Sequence, residues 1–215
     1  ADYQPFAFID PSTHEIIGFD IDIVTEIAKR LNRTIEIKDI PFAALIFELF
    51  SHKIDMVAAG ISPTPLRAES VLFSQEYIEP DPFVIISKKN NPINNAEGLT
   101  HKKIAVNTGY TAEAYLAQRK DIELIRLSCP ADAIMALKSN IADAFVCART
   151  VAQTIMQQLN FYDEYNSSII PDTGDGYAIA LNKDNATLKN EIDQTLKHMK
   201  ADGTIQQLKT KWGIL

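Results

Sequence analysis

The chain has 215 residues, 46% of them apolar and 23% charged, with a formal net charge of −7. Such a composition suits a globular protein with a substantial core in one or two domains. The acidic balance disfavours nucleic acid or an anionic membrane as partner, and no apolar run reaches the roughly 18 residues needed to span a bilayer.

In chain order, "GFDIDIVTEIAKRLN" carries apolar residues at 19, 23, 24, 27, 28 and 31, the stripe of an amphipathic helix. "TIEIKDI" alternates as a strand does. "FAALIFELFSHK" is helical again and "IDMVAAG" is a short apolar strand. Two strand–helix units in succession imply parallel strands with covering helices. A helix opened by Thr64 and Pro65 follows, then "DPFVIISKKNNPINN", where a strand runs into a polar, Asn-rich connector. That shift in composition marks a first domain crossing.

The pattern then restarts. Strands are expected at "KIAVNTG", "IELIRLS" and "DAFVCA", and helices at "TAEAYLAQR", "PADAIMALKSN" and "RTVAQTIMQQLN". "IIPDTGDGYAIALNKDN" reads as a second crossing, with Gly174 and Gly176 just ahead of the strand "YAIAL". The tail is two helices broken at Gly203. The expected organisation is one α/β lobe (residues 1–86 and 177–215), a second (87–176), and a return to the first. Two crossings make a hinge, and a ligand between lobes can be enclosed by closure.

The loop "VAAGISPTPLRAES" admits two chemistries. Gly60-x-Ser62 between strand and helix is half of a nucleophile elbow, but the fifth position is Thr64 instead of Gly. Pro63 weighs more: the residue after such a nucleophile donates its backbone N–H to the oxyanion, and proline has none. The other chemistry is an anion cradle. Thr64 suits an N-cap, Pro65 suits the first helical position, and the Ser62 hydroxyl with the unpaired N–H groups of a helix start suits a carboxylate. Arg67, one turn in, can meet that carboxylate with two parallel hydrogen bonds, or can be an ordinary surface residue in an ion pair.

"GFDIDI", followed by "FAALIFEL", "KIDMVAAGIS" with Thr64 and Arg67, and "FSQEYI", resembles the polar amino-acid family of extracellular solute-binding proteins of ABC transporters. "IAVNTGYTAEAYL", "DAFV" and "DGTIQQLKTKW" match its second-lobe and C-terminal signatures, so the resemblance covers nearly the whole chain in order. It implies an α/β fold of two Rossmann-like lobes joined by a two-strand hinge (periplasmic binding protein-like, type II), closing over one amino acid. A first strand normally precedes "YQPF" in the family, and this sequence lacks it.

Carried over by residue, the resemblance puts the ligand's α-carboxylate on Ser62 and Arg67. The backbone around Ala59 and Gly60 receives the α-amino group, and Thr111, with Thr108 nearby, donates from the second lobe. As a plain N-cap, Thr111 would have a structural role as well. Tyr3 and Phe42 fall at the aromatic positions that sandwich the ligand side chain, where a cation would gain about 0.5–2 kcal/mol; core packing is the other role open to Phe42. Asp2, beside Tyr3, can pair with a cationic ligand head. One position departs from the pattern: where the family places an acid for the ligand ammonium, this chain has Ala148. An unpaired buried ammonium is costly, so either Asp172 or Asp175 substitutes, or Arg149 enters the site for a ligand with an extra acid, or the ligand lacks a free ammonium. The first is preferred.

The resulting expectation is a binding protein, not an enzyme, that captures a polar, basic L-amino acid, arginine first, without a cofactor or metal. The four histidines (His14, His52, His101, His198) show no ligand spacing. A membrane permease is the expected partner, nucleic acid is not, and the chain is expected to be a monomer in the periplasm, free or lipid-anchored. No signal peptide precedes "ADYQPF", and a mature exported chain and a cytosolic one look alike at that end. Two rival readings differ in class: a dehydratase on the same fold with an acid in its cleft, and a sensing module of a receptor, whose mark would be sequence continuing past Leu215. Finally, Cys129 and Cys147 end the second and third strands of the second lobe. A doubly wound order of 2-1-3 separates these by a whole strand, about 9–10 Å, so two free thiols are expected.

Overall fold

The computed structural model describes residues 1–158 and 161–214. The chain forms two compact units: Ala1, Tyr3–Glu79 and Gly176–Leu215 make the first, and Asp2 with Pro80–Asp175 the second. The chain therefore passes between them at Glu79–Pro80 and again at Asp175–Gly176.

The N-terminal part contributes β1 (Asp2–Tyr3), β2 (Ala7–Ile9) and β3 (Ile16–Ile17), joined in one small sheet. Helix α1 (Phe19–Arg30) follows, with Phe19, Ile23, Val24, Ile27 and Ala28 buried as its stripe predicts. Asp20 and Asp22 in its first turn and Lys29 and Arg30 in its last complement the helix dipole. Its N-cap is Gly18, at φ +141°, where a Cβ would collide with the Phe6 carbonyl. Only glycine fits both constraints.

Beyond α1 the expectations are only partly met. "TIEIKDI" forms no strand. A strand needs a neighbour's N–H and C=O groups, and residues 33–40 instead line a groove of about 650 Å³ together with residues 53–59 and α1. The next expected helix splits into a 3₁₀ turn at Phe42–Ala44 and α2 (Leu45–Phe50). Then come β4 (Met56–Val57), the short α3 (Pro65–Ala68) and β5 (Val71–Phe73). Leu45, Leu49, Val57, Ile61 and Val71 bury together, with Phe42 and Ala59 packed at their margin.

In the second unit, β6 (Phe83–Lys88) leads to β7 (Lys103–Asn107), α4 (Thr111–Leu116), β8 (Glu123–Leu127) and α5 (Pro130–Lys138). These are followed by β9 (Ala144–Ala148), α6 (Arg149–Gln158) and β10 (Tyr165–Ile169). Leu159 and Asn160, the end of the helix expected here, lie outside the described residues. The sheet order is β10-β6-β9-β7-β8, with β7 parallel to both β8 and β9. So β7 does separate the two cysteines, which are free: Cys129 is the N-cap of α5 and Cys147 lies in β9. Strand β6 was expected in the first lobe. It pairs antiparallel with β9 on one side and β10 on the other, so the first crossing falls at 79/80 and not at 86/87.

The return brings β11 (Ala180–Asn182), α7 (Ala186–Ala201) and α8 (Thr204–Trp212). Gly203, at φ +82°, breaks the last two helices as expected. Strand β11 enters between β4 and β5 and is antiparallel to each. The parallel pairing expected in this unit is thus not formed by β4, β5 and β11, because the middle strand arrives from the second crossing and runs the opposite way. The tail is fastened to α1: Arg30 holds Asp202 at 2.8 Å, and the Trp212 indole donates to Asp22 at 2.6 Å.

Candidate functional site

The loop after β4 turns at Gly60, whose φ of +57° is left-handed and whose absent Cβ would lie 2.5 Å from the Tyr3 ring. Glycine is therefore required twice over, and Tyr3 sits directly on this loop. The Gly60 N–H donates to Asp20 Oδ2 at 2.6 Å, and the Tyr77 hydroxyl donates to Asp20 Oδ1 at 2.7 Å. Asp20 is fully buried, and burial lifts its carboxyl to about 7 although both hydrogen bonds pull the other way. Burial, with the neighbouring Asp20 charge, also drives the Tyr77 hydroxyl well above its ordinary range.

Two residues on, Ser62 is 2% exposed. Thr64 caps α3, its hydroxyl accepting from the Arg67 N–H at 3.4 Å, with Pro65 at the first position. One turn into the helix, the Arg67 Nη1 donates to the Ser62 carbonyl at 2.8 Å, and its guanidinium carbon lies 5.5 Å from the Phe42 ring centre. The guanidinium is half-buried and bound to the loop. Phe42 packs beside the core and presents its ring to Arg67. Of the expected residues, Tyr3, Phe42, Ala59, Gly60, Ser62 and Arg67 all stand on or against this one loop. Tyr3 is buried, stacks on Phe6 at 5.5 Å and sets its hydroxyl 3.4 Å from that of Tyr177. Asp2 is exposed.

Within the second unit, Thr108 is exposed and ties its N–H to Leu127 at 2.9 Å. Thr111 is the first residue of α4, and the N-cap is Tyr110, not Thr111. Glu113 organises this corner: it accepts from the Gly109 N–H at 2.7 Å and from Arg126 at 2.6 Å. The β7–β9 register pairs Ile104 with Ala144 and Ala105 with Phe145. Continued along the strands, it sets Thr108 level with Ala148, both at carboxyl ends of parallel strands, where open α/β sheets place their ligands.

Asp172 and Asp175 are both exposed, and Asp175 contributes its carbonyl to the Asp81 N–H at 3.3 Å. The acid that the structure sets at the end of β9 is Asp81, which sequence reasoning missed. Its side chain is 2% exposed, receives the Thr150 N–H at 3.2 Å and stands 3.7 Å from Arg149 Nε. It anchors the start of α6 and neutralises Arg149. Sequence reasoning also missed Asp20 and Tyr77. A signal existed for Asp20: an acid one turn before the apolar Ile23 and Val24 lies on the buried side of the helix, where a charge needs partners.

Known proteins share both sequence and fold. Residues 1–214 match the family described as bacterial extracellular solute-binding proteins, family 3. A probable ABC transporter arginine-binding protein, ArtJ, of Chlamydia trachomatis is 27% identical over 100% of this chain and 83% of its own length. The arginine-binding extracellular protein ArtP of Bacillus subtilis is 31% identical over 99% of this chain and 83% of its own. A crystal structure of the substrate-binding protein of an amino acid ABC transporter superposes with a TM-score of 0.91 at 34% identity, covering 99% of this chain and 95% of that one. The architecture is that of the type II periplasmic binding proteins, and this chain belongs to the bacterial extracellular solute-binding proteins, family 3.

Proposed function

We propose that the chain is the ligand-binding component of an amino-acid importer, that its ligand is a polar L-amino acid with a cationic side chain, arginine first, and that it makes or breaks no bond in that ligand. The observation that carries this reading is the Arg67 guanidinium, held by the Ser62 carbonyl of its own loop and laid against Phe42. A carboxylate there would meet a fixed positive charge and hydroxyl donors. Tyr3 and Phe42 would flank the side chain, where an aromatic face favours a cation. The α-ammonium would meet the backbone at Ala59 and Gly60. Thr108, Thr111 and the Ala148 strand end are the second unit's proposed contributions, with Asp2 and Asp175 as its outlying acids. The names of the arginine-binding relatives point the same way.

In this reading the protein works outside the cytoplasmic membrane, as a monomer, and hands its cargo to a membrane permease. Among the described residues no helix is long and apolar enough to cross a membrane. A thermal-shift screen of L-arginine, L-lysine, L-histidine, L-ornithine, L-glutamine and L-citrulline tests the proposal. At a hundredfold excess over Kd a ligand stabilises by about 2.7 kcal/mol. Arginine should raise the melting temperature most; a flat response to all six amino acids refutes the reading.

A further inference from the structure

The site described above leaves a chemical question open. An amino acid's ammonium needs negative charge once it leaves water. Ala148 has none to offer, Asp81 is engaged with Arg149 and the start of α6, and Asp172 and Asp175 are exposed. A different carboxylate stands behind the loop itself.

Resting on the amino-acid reading, we propose that Asp20 is the acid that serves the ligand's α-ammonium, acting through Gly60 as a positioning residue and as a buried source of negative charge. Both of its oxygens are committed within the first unit, one to the Gly60 N–H and the other to the Tyr77 hydroxyl. The first bond fixes the left-handed turn that aims the backbone of residues 59–62. The second ties that turn to the chain beside the crossing, where the Tyr77 N–H donates to the Tyr177 carbonyl at 2.9 Å. Burying an ionised carboxylate is costly, and such groups persist where they specify something. Here the charge lies one peptide group behind the proposed ammonium site, in buried surroundings where it is screened less than in water.

The titratable neighbours are few. Tyr77 donates to Asp20, Tyr3 covers Gly60, and Tyr177 faces the Tyr3 hydroxyl. Arg67 lies further along the loop on Ser62, and on the acid's own helix Asp22 is turned to Lys211 and Trp212. A carboxyl raised to about 7 is half ionised near neutrality, so its charge is available to a cation at pH 8 and largely withdrawn at pH 6.

The test is calorimetric titration of the whole chain with L-arginine and with 5-guanidinopentanoic acid, which keeps the carboxylate and guanidinium but lacks the ammonium. In the parent, arginine affinity should rise several-fold from pH 6 to pH 8 while the analogue stays flat. Asp20→Asn should bind arginine at least tenfold more weakly at pH 8, without the pH step, and hold the analogue as the parent does. Tyr77→Phe keeps the carboxylate and removes a bond that lowers its pKa, so the step should move to higher pH. Equal arginine affinity in parent and Asp20→Asn at pH 8, an equal loss of both ligands, or a flat profile in the parent overturns the role of Asp20. A parent that binds neither compound overturns the amino-acid reading itself.

Discussion

Arg67 shows how a single residue can be legible in outline and not in detail. The run Thr64-Pro65-x-Arg67 indicates a capped helix start with a cation one turn in, and those residues are so placed. The Phe42 face is not written in any local pattern, because Phe42 is 25 residues away in sequence. Replacing Arg67 with alanine should weaken amino-acid binding by a few kcal/mol, since a charge-assisted pair in a dry site is lost; calorimetry on the mutant reads this directly. Asp20 makes a second prediction, about stability and pH. Its folded-state carboxyl titrates near 7 against 3.8 for the unfolded chain, so between these values the folded form holds the extra proton. Its contribution to stability is therefore fully present below about pH 4 and is lost as pH rises toward 7. Urea unfolding at pH 4.5 and 7.5 should show a larger fall for the parent than for Asp20→Asn, and an equal fall would contradict the buried, perturbed acid.

At the scale of elements, pattern worked wherever a segment's partner was near or unspecific. The stripe of α1 requires only some apolar surface, and Gly203 separates α7 from α8 whatever lies around them. It failed at "TIEIKDI", whose alternation is a strand's but whose flank opens on a groove instead of a ladder. A strand is a relation between two chains, and one of the two was assumed. Hydrogen exchange offers a check. Amides at 34–40 should exchange rapidly, and those of Ile104, Ala105 and Val106, buried between β8 and β9, should be among the slowest. Comparable protection in both segments would show that 34–40 is paired after all. The length of β4, two residues against an expected seven in "IDMVAAG", has a similar cause: the turn at Gly60 and its bond to Asp20 take the chain out of the sheet early.

For the whole molecule, the order of strands carries consequences that no single element does. The sequence of β8-β7-β9 leaves Cys129 and Cys147 as thiols. Burial raises both: Cys147 far above the ordinary thiol range, with the Asp81 charge adding to the effect, and Cys129 less so. A thiol reagent should modify Cys147 only after unfolding and Cys129 slowly, and the chain should keep its mobility on reduction. A mass lower by two hydrogens under non-reducing conditions would require a different strand order.

Taken alone, the amino-acid sequence determined the α/β class, the lobe–lobe–return path, the helical faces and the capped helix start at Thr64–Pro65, because each depends on residues close together in the chain or on a repeated period. Tertiary structure decided what depends on meetings between distant segments: β11 slotting antiparallel between β4 and β5, β6 joining the second unit, Asp81 at the head of α6, and Asp20 under Gly60. Periodicity reports which side of a segment avoids water, but not which partner waits there.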